Sequence, residues 1–399
     1  MKPGGFLPLD TGGKIRSYHT VTNLARHWPT TVITFYPREN EDQNPKLAAS
    51  VDKLIAIPFT LGPRKVGELS TYLSAVVHSR PYSFQKFCRP EVIRAVEAEL
   101  RQTSYDVIIC DFLLGCGVVP SEVQAAKVVF THNVECRIWE RHYKVAPNLP
   151  RRIVAKREWQ TLAALEHKYL KEADLVLAVS DADAAEFVSW GLPQEKVRSV
   201  PTGVDTEFFS PQPRLTASKT LVFTGSMDWK PNQDGILWFL REVYPAIQAK
   251  VPAVKLVVVG RRPSPEIVQA CAQHNSVTLT GWVDDIRDYL AAADVCVVPL
   301  RVGSGTRLKI FEAMAMGKAT VSTTIGAEGL PVTDGVDILI GDTPSAFAAQ
   351  TVALLQDAAK GERLGRAART LVESRYSWDA VTGEFMRTIE TAVKSHPGQ

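Results

Sequence analysis

The sequence predicts two α/β domains, each built on a parallel sheet that helices cover on both faces. The chain has 399 residues, which is more than one ordinary hydrophobic core accommodates. Short β-branched apolar runs alternate with longer amphipathic stretches, a pattern typical of parallel strands joined by helical crossovers. Several runs, such as residues 107–109 and 256–259, are apolar on both faces, as a strand covered by helices on both sides requires.

The individual elements follow from these runs. We predict strands at residues 31–36, 53–58, 106–111, 127–131 and 174–180 in the first half, and at residues 220–224, 255–260, 277–280, 294–299 and 319–323 in the second. Residues 210–218 carry two prolines and few large apolar side chains, which indicates an interdomain linker. A last helical pattern begins at the candidate N-cap Ser377 and runs to about Lys394. The predicted divisions are therefore 1–209, 210–376 and 377–399.

Composition excludes several classes of protein. Hydrophobic residues at 45% and charged residues at 22% are typical of a globular chain, and a net charge of +3 argues against nucleic acid as the main partner. The six cysteines form no C-x-x-C pair, which argues against a disulfide framework or a structural zinc site. No apolar run approaches the ~20 residues of a membrane span, and residues 1–5 show no secretory signal. We expect a cytoplasmic protein.

The most informative loop is residues 300–314, which follows the strand ending at residue 299 and leads into a helix. Ligands of open α/β sheets bind beyond the carboxyl ends of the strands. Gly303 and Gly305 allow the backbone to approach a ligand closely, and the helix N-terminus directs N–H groups towards it. Arg307 and Lys309 add positive charge where the helix dipole disfavours it, which a bound diphosphate would explain. The alternative is an ordinary glycine turn with solvated basic residues.

The same region carries a family resemblance. Residues 303–317 resemble the donor-site signature of the GT-B fold retaining glycosyltransferases of the bacterial family 4 type, the group 1 glycosyl transferases. Residues 201–205 and 281–285 resemble this family too, so that the resemblance covers essentially the whole chain. It implies two Rossmann-like domains with the C-terminal helix crossing back to the N-terminal one. It also implies that a sugar moves from a nucleotide-diphosphate donor, bound in the cleft between the domains, to an acceptor.

The resemblance extends to details of the reaction. It implies transfer with retention from a UDP- or GDP-sugar, with no metal and no cofactor. The acceptor would be a saccharide, a lipid-linked saccharide or a small molecule, in polysaccharide or glycolipid synthesis. Glu312 matches the residue that binds the donor ribose, and His132 matches the histidine that contacts the transferred sugar; nearby Glu135 is a further candidate, as a general base. The residues expected at the donor diphosphate are Gly12, Gly13, Arg16, Lys230, Gly305, Thr306, Arg307 and Lys309.

The sequence departs from the family pattern at three places. Ser304 stands where the first glutamate of the signature is usual, and Ser226 stands where an arginine is common. Arg307 and Lys309 would supply the missing charge with help from Lys230, which is otherwise a simple turn residue before a helix. No apolar strand precedes the glycine loop of residues 9–16. Either the natural start lies upstream, or residues 6–9 replace that strand.

Two further patterns have competing interpretations. Asp181-Ala182-Asp183 matches a metal-binding D-x-D pattern, but Ser180 with Asp183 favours a helix capping box. The basic residues of a long helix, Arg151, Arg152, Lys156, Arg157, Lys168 and Lys171, form either a solvated face or a surface for anionic lipid head groups. The rival functions are a nucleotide-sugar 2-epimerase of the same fold and a catalytically silent nucleotide-sugar-binding protein.

Overall fold

The computed structural model describes residues 1–9, 11–38, 45–61, 64–212, 218–302 and 307–394, without the side chains of residues 64–66. It divides the chain into two compact units. The first comprises Met1–Pro201 together with Val381–Gln399, and the second comprises Thr202–Ala380. Both are mixed α/β units with parallel sheets, which confirms the predicted fold class. The division falls after Pro201 and not at 209/210, because Val204 pairs with Ser377 and packs in the core of the second unit.

The first unit begins with strands and helices in alternation. Its described elements are β1 (Lys2–Pro3), α1 (Gly12–Leu24), β2 (Thr31–Pro37), α2 (Pro45–Ala48), β3 (Lys53–Phe59), α3 (Arg64–Val77), α4 (Tyr82–Phe87), α5 (Pro90–Gln102), β4 (Val107–Asp111), α6 (Leu113–Cys116), β5 (Ala126–Phe130), α7 (Glu135–Lys144), α8 (Leu149–Glu172), β6 (Leu175–Ala178), α9 (Asp181–Ser189), the 3₁₀ turn Gln194–Lys196 and β7 (Val197–Ser199).

A short first strand lies at the edge of a three-stranded sheet in this unit. β1 pairs in parallel with β2, with Lys2 opposite Thr34. On its other side the Met1 nitrogen donates to the Ile109 carbonyl at 2.8 Å, and the Asp111 N–H donates to the Met1 carbonyl at 2.8 Å. The unit therefore has two sheets, in the orders β3-β2-β1 and β4-β5-β6-β7, which the two hydrogen bonds of Met1 join. The first strand is Lys2–Pro3 and not residues 6–9, and it was not recognised because two residues, one of them a proline, leave no apolar run to detect.

The second unit repeats the same plan. Its described elements are β8 (Thr220–Thr224), α10 (Lys230–Trp238), the π-helical turn Phe239–Val243, α11 (Tyr244–Lys250), β9 (Lys255–Val259), α12 (Pro265–Ala272), β10 (Val277–Gly281), α13 (Arg287–Ala292), β11 (Val295–Val298), α14 (Leu308–Ala315), β12 (Ala319–Ser322), β13 (Leu339–Ile340), α15 (Pro344–Gln356), α16 (Ala358–Arg375) and the start of α17 (Trp378–Lys394). The sheet order is β10-β9-β8-β11-β12-β13, with every pairing parallel.

The C-terminal helix α17 returns the chain to the first unit from Val381 onward. Its N-terminus is capped as predicted, since the Ser377 hydroxyl accepts from the Ala380 N–H at 3.2 Å. Phe385 is buried edge-on against Phe130 with ring centroids 5.0 Å apart, in a cluster with Val128 and Leu177 of the sheet. This helix is therefore part of the first unit's core. Within the described residues, no helix combines the length and the apolar character that crossing a bilayer requires.

Candidate active site

In the second unit, three segments meet at the carboxyl edge of the sheet. Gly225 follows β8, Asn232 lies in the first turn of α10, and Lys309 lies in the first turn of α14. The Lys309 ammonium donates to Asn232 Oδ1 at 2.7 Å and lies 4.5 Å from the centroid of the Phe223 ring. A Cβ at position 225, where φ is +155°, would lie 2.7 Å from Lys309 Nζ. Glycine is therefore needed for the backbone to pass this close to the ammonium.

Burial shifts the charge states of the two ionisable groups on α14. It lowers the pKa of Lys309 to about 8, although the nearby Glu312 carboxyl raises this pKa in part. It raises the pKa of Glu312 to about 7, although the Lys309 ammonium lowers this pKa in part. Both pKa values thus lie near neutral pH. A bound ligand of opposite charge would favour the charged form of either group.

Two arginines occupy different positions at this edge. The Arg261 Nε, just after β9, donates to the Ser226 hydroxyl at 3.0 Å. A guanidinium therefore lies beside the position at which the family commonly has arginine. Sequence reasoning missed Arg261, although its place directly after a buried strand was a usable signal. Arg307 is buried, and its Nη2 donates to the Ile325 carbonyl at 3.0 Å and lies 3.7 Å from a Glu328 carboxylate oxygen.

The remaining predicted residues of this unit are placed as follows. Lys230 is the first residue of α10 and is exposed, and it is Asn232, two residues later, that reaches Lys309. Gly305 and Thr306, predicted at the donor diphosphate, lie outside the described residues, as do Gly303 and Ser304.

In the first unit, His132 and Asp111 form a buried pair. Asp111 is the last residue of β4, and His132 comes two residues after the neighbouring strand β5. His132 Nε2 lies 2.6 Å from Asp111 Oδ1, and the imidazole stacks on Phe112 with centroids 3.8 Å apart. Burial lowers the pKa of His132, whereas the pKa of Asp111 is lowered by the histidine against the effect of its own burial. A neutral imidazole that donates from Nε2 leaves Nδ1 as an acceptor.

The glycine pair lies next to this histidine. Gly12 and Gly13 form the first turn of α1, whose N-cap Thr11 accepts from the Lys14 N–H at 3.4 Å. A Cβ on Gly13 would lie 2.9 Å from the Phe112 ring and 3.7 Å from His132 Nδ1. The helix can begin this close to Phe112, and so beside His132, because residue 13 has no side chain.

The structure corrects the expectation for Arg16. Its side chain is 1% exposed and lies 4.0 Å from the centroid of the Phe130 ring. Its two terminal nitrogens donate to the backbone carbonyls of Thr131 at 2.6 Å and Val200 at 2.5 Å. Arg16 occupies the inward face of α1, and its guanidinium fixes this helix to the ends of the sheet. It is a structural residue and not a diphosphate ligand.

Glu135, the candidate general base, is held at the start of α7. Its Oε1 accepts from the Leu113 N–H at 3.3 Å, and burial together with Glu166 raises its pKa to about 7. Both oxygens of Glu166 accept backbone N–H groups, from Glu135 and Cys136, at 2.8 Å. Glu166 therefore caps α7 and positions Glu135.

The D-x-D pattern has the capping geometry. The Ser180 hydroxyl accepts from the Asp183 N–H at 3.2 Å, and Asp181 accepts from the Ser199 hydroxyl. The capping interpretation accounts for the placement of these residues at the N-terminus of α9.

Comparisons with known proteins agree with both halves of the chain. The family described as Glycosyltransferase Family 4 matches residues 17–208, and the family described as Glycosyl transferases group 1 matches residues 218–357. Together these matches cover most of the sequence. The chain belongs to the group 1 glycosyltransferases of family 4.

Several curated members of this family are similar in sequence over part of their length. A phosphatidyl-myo-inositol mannosyltransferase of Mycobacterium tuberculosis is 29% identical over 209 residues, which is 49% of this chain and 54% of that protein. A GDP-mannose-dependent alpha-(1-6)-phosphatidylinositol monomannoside mannosyltransferase from the same organism is 28% identical over 55% of this chain and 63% of its own. The chain thus matches a little over half the length of these relatives.

Several solved structures share the fold. Sucrose-phosphate synthase from Thermosynechococcus elongatus superposes with a TM-score of 0.68 at 20% identity, over 99% of this chain and 96% of its own. Anabaena HepE, in complex with UDP and glucose, gives a TM-score of 0.65 at 16% identity, over 98% of this chain and all of its own. These similarities establish the GT-B fold of two Rossmann-like domains.

Proposed function

We propose that this chain is a hexosyltransferase that binds a nucleotide-diphosphate sugar at the carboxyl edge of the second unit's sheet. The observation that carries the proposal is the placement of Lys309. A half-buried ammonium whose hydrogen bond, among the described residues, goes to a neutral amide costs stability unless an anion completes its environment. A diphosphate is such an anion, and glycine at position 225 allows it to approach the backbone.

The neighbouring cations support the same ligand. Arg261, held by the Ser226 hydroxyl, supplies a planar guanidinium suited to phosphate oxygens. Arg307, Lys230, Gly305 and Thr306 belong to the proposed site through their family positions. Each charge-assisted contact to the diphosphate contributes about 1.5–3 kcal/mol. Glu312 is proposed to accept hydrogen bonds from the ribose hydroxyls. Both of its oxygens are acceptors when the carboxylate is ionised.

For the first unit, we propose that His132 contacts the transferred sugar and that Gly12 and Gly13 bind the donor diphosphate. Asp111 accepts from Nε2 and so fixes the imidazole with Nδ1 free of a proton, available to accept from a sugar hydroxyl. Asp111 is thus a positioning residue. The bond between the anomeric carbon and the diphosphate breaks, and the departing diphosphate, stabilised by the cations, accepts the proton of the acceptor hydroxyl. The acceptor oxygen forms the new glycosidic bond to the same carbon, with its configuration retained. These cations supply the charge that a metal would otherwise provide, and we propose metal-independent transfer.

The comparisons suggest which donors and acceptors to test first. One relative is described as GDP-mannose-dependent, and HepE was solved with UDP and glucose. The mannosyltransferase relatives are described by phosphatidylinositol-based acceptors. We propose a GDP- or UDP-hexose donor and a lipid-linked or saccharide acceptor, used in glycolipid or polysaccharide synthesis at the inner face of the membrane.

The first test is thermal unfolding with UDP, GDP, ADP, TDP and NAD, each with and without a chelator. A ligand at about 100 times its dissociation constant adds roughly 2.7 kcal/mol of stability, which is several degrees in midpoint. We expect a chelator-insensitive shift with one nucleoside diphosphate. A shift with NAD alone would refute the proposal.

A second measurement separates the rival functions. The matching nucleotide-sugar is incubated with and without a lipid extract as acceptor, and its products are followed by mass spectrometry and NMR. Release of diphosphate together with a glycosylated product supports transfer. Epimerised donor without acceptor would indicate the 2-epimerase, and unchanged donor despite binding would indicate a catalytically silent protein.

A further inference from the structure

One surface of the first unit exposes an unusual number of large apolar side chains. Leu69, Leu73, Val76 and Val77 of α3 are all exposed, Val77 to 79%. Their spacing of three and four residues places them on one face of the helix. The opposite side of α3 is packed, with Thr71 and Ala75 buried. α3 is therefore an amphipathic helix whose apolar side chains lie in part on the outside.

The adjacent part of α8 continues this apolar surface. Arg157 joins the two helices, because its Nη2 donates to the carbonyls of Ala75 at 2.5 Å and Arg80 at 2.8 Å. Leu149 and Ile153 precede Arg157 by eight and four residues and so lie on the same side of α8. Both are exposed, Ile153 to 60%.

The charge around the α8 part of this surface is basic. Residues 141–157 contain six lysines and arginines and no aspartate or glutamate. Arg151, Arg152 and Lys156 are exposed beside Leu149 and Ile153. Arg152 also lies 5.0 Å from the centroid of the Tyr143 ring, which keeps its cation at the surface. Exposed apolar side chains next to unbalanced basic ones form the pattern of an interfacial surface on anionic lipid.

We propose that this face docks the enzyme onto an anionic bilayer. The apolar-basic face consists of Leu69, Leu73, Val77, Leu149 and Ile153 with Arg151, Arg152 and Lys156. The aliphatic side chains enter the boundary between head groups and acyl chains, while the basic ones remain among the phosphates. A groove between α7 and α8, lined by Trp139, Val145 and Val154, extends the apolar surface. The proposal rests on the proposed function in one respect, namely that a lipid-linked acceptor would lie in the bilayer to which this face binds.

The charge favours a bilayer over a protein partner. The cores of protein interfaces are depleted in charged residues, whereas clusters of basic residues beside aliphatic ones are typical of proteins that lie on anionic membranes. Each basic residue near such a surface strengthens binding about fivefold at physiological salt, so Arg151 and Lys156 together account for roughly 25-fold.

The test is flotation of the full chain with vesicles of phosphatidylcholine alone and of phosphatidylcholine with 30% phosphatidylglycerol. Two double variants remove parts of the face, Leu73→Ser with Ile153→Ser, and Arg151→Gln with Lys156→Gln. The control for the apolar variant is Val268→Ser, at an exposed position of α12 in the second unit. The control for the basic variant is the double variant Arg363→Gln with Arg366→Gln, at exposed positions of α16 in the same unit. We expect binding to the anionic vesicles only, weakened at least tenfold by each face variant and less than twofold by either control.

Three outcomes would overturn the proposal. The first is equal binding to neutral vesicles, and the second is equal loss in face and control variants. The third is a change in sedimentation mass of the face variants without vesicles, which would show that the face joins two copies. The thermal shift with nucleoside diphosphate is measured on the same proteins. A missing shift refutes the proposed donor site without bearing on vesicle binding, so failure of the docking surface and failure of the proposed function can be distinguished.

Discussion

Replacing Lys309 with methionine is expected to improve stability while it weakens ligand binding. The side chain keeps nearly the same length and loses its charge. In the unliganded protein, burial lowers the pKa of Lys309 from 10.5 to about 8. That difference corresponds to an upper bound of about 3 kcal/mol by which the charged form is disfavoured in the folded state. Loss of the hydrogen bond to Asn232 and of the contact with Phe223 returns about 1–2 kcal/mol of this.

The net expectation is that Lys309→Met is more stable than the parent by about 1 kcal/mol at pH 7 without ligand. The sign follows from linkage. Between pH 8 and 10.5 the unfolded parent binds more protons at this lysine than the folded parent does, so the parent gains stability as pH rises. The variant lacks this gain, and its advantage should disappear towards pH 10.5. Denaturant unfolding at pH 7, 8.5 and 10 measures both effects.

Ligand binding should change in the opposite direction. Loss of one charge-assisted contact weakens binding of the preferred nucleoside diphosphate by about 1.5–3 kcal/mol, or roughly 10- to 150-fold by calorimetry. Lys255→Met, at the exposed amino end of β9, is the control and should leave affinity unchanged and stability within about 0.5 kcal/mol. A variant that is less stable at pH 7 and still binds normally would show that Lys309 serves the fold and not the ligand.

Three further predictions follow from other contacts. Arg261→Gln should weaken binding of the same diphosphate at least tenfold, whereas Arg262→Gln, at the exposed residue that pairs with Asp228, should change it less than twofold; equal effects would exclude a specific role for Arg261. Burial raises the pKa of Glu312 from 4.5 to about 7, so the folded parent binds the extra proton between these values and loses up to about 3 kcal/mol as pH rises through them. Glu312→Gln should remove that loss in unfolding experiments at pH 5 and pH 8, and an unchanged pH dependence would contradict the burial argument. Phe385→Ala should destabilise the first unit by about 3–5 kcal/mol in denaturant unfolding, and a cost below about 1 kcal/mol would mean that α17 is dispensable for its core.

The sequence was most informative where a local pattern determines the structure. The ten predicted strands all form, and β8 has the predicted limits. Strands buried along their whole length, such as β6 and β11, are uninterrupted apolar runs that the sequence shows directly. The strands that were missed are β1, β7 and β13, which are two or three residues long. Such short strands form because neighbouring strands offer backbone hydrogen-bond partners, and not because of their own composition. The hydrogen bonds of Met1, the residue before β1, with Ile109 and Asp111 are an example.

The sequence by itself determined the two α/β units, the family and the loops that follow the strands, because each of these depends on residue types within a short stretch of chain. Only the tertiary structure decided what each side chain does there. Arg16 lies on the helix that carries the glycine pair, yet its guanidinium points inward to the carbonyls of Thr131 and Val200. His132 meets Asp111, and Ser226 meets Arg261, across neighbouring strands. Such pairs are fixed by sheet order and register, which bring together residues whose separation in sequence carries no signal.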